Sequence, residues 1–310
     1  MIKNQKTLKI SLILILLTFS GLILSNAVST TKTAYADEIE NTSDQDSVTT
    51  QEDSIVSINR VSTAPFYPTK AFSLGEILSF KIRYGFVTAG SAVMMVKSVE
   101  EKNGRKYYHI QTKARSSSGF DWIYKVRDEV NTFVDFDGLY PLRFEKKLRE
   151  GSYKADQLVD FFHADSMAKL EYIRYESNMK VSKRRIVEFK IPPFANDILS
   201  AFYLIRNQNL EVGKPIYLTA SEKDKVYNLK VEVYKKEIID ADAGKFRCFE
   251  IEPLLEGEGI FKQKGRLKIW LTDDQYKIPV QMTSEVIVGH ITTELTEIQG
   301  IKGPIPSRVD

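Results

Sequence analysis

The stretch GRLKIWLTDDQYKIPVQM, residues 265–282, reads as two strands joined by a turn. Leu267, Ile269 and Leu271 share one face going in, and Ile278, Val280 and Met282 share one face coming out. Successive strand side chains point to opposite sides, so this alternation marks antiparallel sheet with one wet face. TDDQYK, between the runs, suits a hairpin connection, and aspartate favours turns because its carboxylate accepts from nearby backbone N–H groups. Pro279 has no N–H to give to a ladder, so the return strand is an edge or begins there. Trp270 points away from the face of Leu267, Ile269 and Leu271, which leaves it wet, packed or lining a groove.

The same period of two recurs along the chain. ILSFKIRYG puts Leu78, Phe80, Ile82 and Tyr84 on one side, and KYYHIQTKAR does so with Tyr108, Ile110, Thr112 and Ala114. YNLKVEVYKK alternates Tyr227, Leu229, Val231 and Val233 with Asn228, Lys230 and Glu232. Turn signals separate the segments: KNGRK, DFDGLYP, REGSY, SEKDK, DADAGK and EGEG. About a dozen strands result, with no βαβ unit and no internal repeat. One segment departs from the pattern: Ile198, Leu199, Phe202 and Ile205 have helical spacing, with Asn196 or Asp197 as N-cap. That helix is expected on a sheet face or plugging an open end, and a second helical turn is expected within GFDWIYKV, residues 119–126. The fold class is therefore mainly β: a large curved antiparallel sheet, or a two-sheet or open-barrel architecture, with one central α-helix.

The N-terminus reads as an export signal. Lys3, Lys6 and Lys9 precede an apolar run over residues 10–24, followed by AYA at residues 34–36. Cleavage after Ala27 and an uncleaved N-terminal anchor are the alternatives. Residues 1–36 are the expected signal peptide, 37–62 a flexible acidic spacer, 63–300 a single β-rich domain and 301–310 a C-terminal tail. Without residues 1–36, the chain has 40 basic and 41 acidic residues, and no sustained basic run suits nucleic acid. The single cysteine, Cys248, excludes an internal disulfide and reads as a small buried hydrophobe.

Several motifs occur in a recognisable order. They are Gly75-Glu76 with Leu78, Tyr84-Gly85 to Gly90, Asp197 with Ser200, Tyr203 and Arg206, Gly244-Phe246-Cys248, and Trp270-Leu271-Thr272-Asp273-Asp274 with Ile278-Pro279. In this order they resemble the bacterial family labelled domain of unknown function 3108, over roughly Phe72 to Leu295. The resemblance implies an exported envelope protein, largely β. It implies no activity and no catalytic residue.

The candidate site residues are few. Asp273 and Asp274 are turn residues or a polar site, but two carboxylates are thin for a hard cation, which usually wants six or more oxygens. DFDG and DADAG open like calcium loops but lack the later ligands. His109, His163 and His290 have no metal-ligand spacing, and His290 is kept only as a low-ranking polar candidate. No G-x-S-x-G, P-loop or G-x-G-x-x-G occurs. On the helix, Arg206 either bonds strand-end carbonyls or meets a polar head at the mouth of a groove. Trp122 and Trp270, with Tyr107 and Phe120, either line such a groove or fill the core. The expectation is an exported, periplasmic, non-enzymatic protein with no cofactor or metal, whose ligand is a lipid or glycan precursor and whose association with the envelope is peripheral. A structural or protein-interaction module and a hydrolase with an unrecognised site are the alternatives.

Overall fold

The computed structural model describes residues 64–256, 266–285 and 289–309, in which the alternating segments form one sheet of sixteen strands. The signal, the acidic spacer and the EGEG turn lie outside the described residues. The first half is a meander: β1 (Ile77–Tyr84), β2 (Val87–Lys102), β3 (Arg105–Ser116), β4 (Arg127–Asp135) and β5 (Pro141–Glu150). It continues through β6 (Tyr153–Phe162), β7 (Met167–Tyr175) and β8 (Val181–Lys190). A two-residue strand, β9 (Asn196–Asp197), leads into the second half: β10 (Ile216–Glu222), β11 (Lys225–Ala241), β12 (Gly244–Glu256), β13 (Leu267–Thr272), β14 (Pro279–Glu285) and β15 (His290–Gln299). β15 pairs antiparallel with β1 and joins the halves, and β16 (Arg308–Val309) pairs with β12. All pairings are antiparallel except β9 with β10.

Four more strands appear than the periodicity announces. β9 and β16 have two residues each, too short for any period to register. β8 is exposed along most of its length, so its sequence carries no apolar face.

The sheet path does not close, but it curls until the β8 region meets the β10–β11 hairpin, where Arg185 Nη2 donates to Asp224 Oδ2 at 2.6 Å. Leu78, Phe80 and Ile82 are buried on the inner face, as are Ile269, Leu271 and Met282 across the join. In an antiparallel meander the hairpins alternate ends. The β1–β2, β3–β4, β5–β6, β7–β8 and β10–β11 connections therefore share one end, the mouth. The β4–β5, β11–β12 and β13–β14 connections share the other, the base.

Among the described residues two α-helices complete the fold: α1 (Ser118–Tyr124), between β3 and β4 at the mouth, and α2 (Ile198–Arg206) inside the curl. Asp197 caps α2, accepting from the Leu199 and Ser200 N–H groups at 2.7 and 2.9 Å. Thr132 Oγ1 on β4 donates to the same carboxylate at 2.5 Å, so one residue both starts the helix and fixes it to the sheet. Gly90 is demanded by close approach, because a Cβ there would collide with the backbone oxygen of Arg115 on β3.

The six-residue connection after β13 rests on Asp274. Its Oδ1 accepts from Thr272 Oγ1 and the Tyr276 N–H, both at 2.9 Å. Its Oδ2 accepts from Ser307 Oγ at 2.6 Å and so fastens residues 301–309 to the base. Asp273 makes an ion pair with Lys236 at 3.0 Å, and its own N–H donates to the Arg247 carbonyl. Asp274→Ala is expected to cost about 2–3 kcal/mol, because several donors lose a charged acceptor. Asp273→Ala should stay within about 0.5 kcal/mol, because its backbone bond remains and exposed pairs contribute little. Urea unfolding of the two variants checks the contrast, and equal costs would contradict it.

Candidate functional site

Strand parity decides which charges enter the interior. Phe144, Lys146, Leu148 and Glu150 share a face of β5, and Asp128 shares a face of β4 with Val130, Thr132 and Val134. The register brings Gln157 of β6 opposite Lys146, and Tyr172 of β7 opposite Gln157. These residues face inward toward the mouth, while α2 fills the space behind them. From across the curl, Glu222 at the end of β10 reaches Lys146 at 2.8 Å, with both side chains 2% exposed. The residues that line this chamber are polar, in contrast to the apolar interior elsewhere.

Asp128 and Glu150 form its second centre. Asp128 Oδ1 accepts from the Arg149 N–H at 2.7 Å, its other oxygen, Oδ2, has no hydrogen-bond partner, and the charge of the nearby Glu150 carboxyl acts on it. Burial, and then the neighbouring charge of Glu150, push Asp128 up to about 8, and burial also raises Glu150. Both carboxyls are therefore displaced toward their neutral forms. Lys146 lies close enough to act electrostatically on both.

Two half-buried tyrosines stand beside these residues. Tyr153 and Tyr172 hydroxyls are hydrogen-bonded at 3.0 Å, Arg174 stacks 3.7 Å over the Tyr153 ring, and Lys223 Nζ lies 5.7 Å from the Tyr172 centroid. Burial, and then Tyr172, raise the Tyr153 hydroxyl pKa, and burial lowers that of Lys223. Besides Asp128 Oδ2, two buried acceptors here have no protein donor: Gln157 Oε1 and Glu222 Oε2. Leaving such an atom unmatched costs about 1–3 kcal/mol, so each is a place where a hydroxyl or amine donor binds favourably. Among the described residues, no group of three or more His, Cys, Asp or Glu is arranged to hold a metal ion.

The residues singled out from the sequence lie elsewhere, at several separate places. Arg206 is 1% exposed under α2, at the base and not at a groove mouth. It holds Glu76 in a two-pronged pair at 2.7 and 2.8 Å and donates to the carbonyls of Ala71, Tyr276 and Lys277. Burial opposes its charge, but Glu76 more than offsets this and raises its pKa. Trp270 is 8% exposed on the outer face of β13, where its indole N–H donates to Glu237 Oε1 at 2.7 Å, so it is packed and lines no groove. Trp122, on α1, is 81% exposed at the mouth. Asp273 and Asp274 sit at the base and His290 starts β15 at the mouth, so the three do not form one site. His109 is buried against Asn131 and Phe133, and His163 bonds the Pro141 carbonyl. Cys248 is buried, which pushes its thiol up to about 12.

The chamber went unread in the sequence, although one signal was present. In PLRFEKKLRE, Lys146 falls on the parity of Phe144 and Leu148, a charge on an apolar face.

A family model described as a protein of unknown function, DUF3108, matches residues 79–296. A β-barrel-like protein of domain of unknown function DUF1849 from Brucella abortus is similar at 14% identity and TM-score 0.48, over 73% of this chain and 97% of that one. A Bacteroides fragilis protein with a YmcC-like fold, described as a candidate exported protein, is similar at 11% identity and TM-score 0.33, over 76% and 100%. A candidate lipoprotein from Parabacteroides distasonis is similar at 10% identity and TM-score 0.33, over 76% and 99%. No curated protein matches the chain. At these scores the structural likenesses assign no activity.

Proposed function

The chain belongs to the DUF3108 family of proteins of unknown function, and from its own geometry we propose an exported binding module for a hydroxyl-rich group, such as the sugar of an envelope glycan or glycolipid precursor. The observation that carries this reading is the pair of buried acceptors without a donor, Gln157 Oε1 and Glu222 Oε2, beside Lys146. Sugar hydroxyls supply donors to such oxygens, and the rings of Tyr153 and Tyr172 beside them offer an apolar face to a sugar. Export is supported by the basic and apolar N-terminal sequence over residues 1–36.

The test incubates the stripped protein with envelope extract, repurifies it and identifies bound species by native mass spectrometry. A saccharide-bearing species is expected to co-purify, and Gln157→Leu is expected to lower its recovery about tenfold, the equivalent of 1.4 kcal/mol. No co-purifying species, or equal recovery with the variant, would sink the proposal.

A second reading comes from the buried carboxyls of Asp128 and Glu150, both raised toward their neutral forms; aspartic proteases also use a carboxyl pair to activate water. Cleavage of the bound species that Asp128→Asn abolishes would favour hydrolysis, and an intact bound species would exclude it.

A further inference from the structure

We infer that the mouth end docks on an anionic lipid surface. Phe86 at the β1–β2 tip is 101% exposed, and Val87 beside it is exposed as well. Trp122 and Ile123 on α1 are exposed next to this tip, because the Ser117 N–H donates to the Ala89 carbonyl and holds α1 against β2. Met179 and Val181, at the β7–β8 connection, are also exposed at this end. Aromatic side chains standing free on hairpin tips lack any internal packing role. Phe and Trp in this position suit the interface between headgroups and acyl chains.

Charge selects the kind of surface. Lys125, Lys180, Lys183 and Lys225 lie exposed in or beside the mouth connections. Among the described residues the acids there are fewer: Asp121 is paired with Arg127 and Asp224 with Arg185, which leaves Glu176 and Glu285 exposed. An apolar tip within a ring of lysines matches a bilayer bearing anionic headgroups. The polar cluster lies toward the same end, and Tyr124 of α1 hydrogen-bonds its Glu150, so docking would turn that end of the cluster toward the lipid. The inference does not depend on the sugar reading, because the rim binds lipid whether or not the chamber is occupied.

Trp122 reports on this directly. The apolar run at residues 10–24 is able to hold the full chain on vesicles by itself, so the measurement is read at the rim. Full-length protein is mixed with vesicles of phosphatidylglycerol and phosphatidylcholine, some carrying brominated acyl chains. Trp122 emission is expected to shift to the blue and to be quenched by the brominated lipid, while the shielded Trp270 stays constant and reports an intact fold. Phe86→Ser should lower the quenching of Trp122 at saturating lipid roughly tenfold. Raising salt to about 0.5 M should weaken the effect. Trp122 emission insensitive to anionic vesicles would overturn the inference. So would equal quenching on pure phosphatidylcholine, or Phe86→Ser behaving as the native chain does. Self-association of the native chain without vesicles that Phe86→Ser abolishes would also overturn it, because the rim would then be a protein interface.

Discussion

Arg206→Met is expected to lower the unfolding free energy by about 3–5 kcal/mol, the usual cost of stranding one partner of a buried ion pair. The guanidinium makes two bonds to the Glu76 carboxylate and three to backbone carbonyls. It also lies 5.0 Å from the Tyr203 ring centroid and 5.8 Å from that of Phe72. Removing it leaves a 1%-exposed carboxylate without a counter-ion and three carbonyls without that donor. Glu76→Leu combined with Arg206→Met should cost less than Arg206→Met alone, because it removes both charges together. Urea unfolding of the single and double variants closes the cycle. A single-variant cost below about 1 kcal/mol would show that the pair contributes little to the fold.

Asp128→Asn is expected to be more stable than the native chain at alkaline pH and no more stable near pH 5. Asp128 is raised to about 8 in the folded state, against an ordinary value of 3.8. The folded protein therefore holds a proton there that the unfolded chain has lost, and stability falls as pH rises from about 4 through about 8. The favourable contribution is fully present below the unfolded value and gone above the folded one. The slope is at most about 1.4 kcal/mol per pH unit, so the gap between native and variant should open by roughly 2 kcal/mol between pH 6 and 8. Asparagine keeps an acceptor for the Arg149 N–H and gives Glu150 a permanent donor, so it imitates the protonated acid. His163 is depressed by burial and acts the other way, losing stability as pH falls below its ordinary 6.5, outside the upper part of this window. Asp197, raised to about 6 by burial, adds a fall of the same sign at lower pH. Thermal or urea unfolding at fixed ionic strength across pH 5–9 measures the difference, and parallel curves for the two proteins would refute a proton held on Asp128.

The order of motifs in the sequence has a physical explanation in these contacts. Glu76, beside the glycine that starts β1, and Arg206, at the end of α2, are the two halves of one ion pair. Asp197 and Asp274 are caps that tie a helix to a strand and a turn to the chain end. The conspicuous charges of the sequence are therefore occupied in holding the fold. The buried charges of the chamber sit in plain surroundings, Lys146 in EKKLRE and Glu222 in ASEKDK, where a solvated residue is the ordinary expectation.

The sequence by itself determined most of the strands and their inward faces, the α2 helix with its cap at Asn196 or Asp197, and the turn at Asp273-Asp274. Each of these depends on residues within a few positions of one another, through the two-residue pleat, the 3.6-residue turn and local hydrogen bonds. Tertiary structure decided which strands become neighbours and how far the sheet curls. Glu76 meets Arg206 across 130 positions and Lys146 meets Glu222 across 76. A period of two reports the face on which a side chain lies but not what stands opposite it. For that reason Lys146 could be assigned to an inward face, while its partner, the neighbouring carboxyls of Asp128 and Glu150, and the rim around them required the curled sheet.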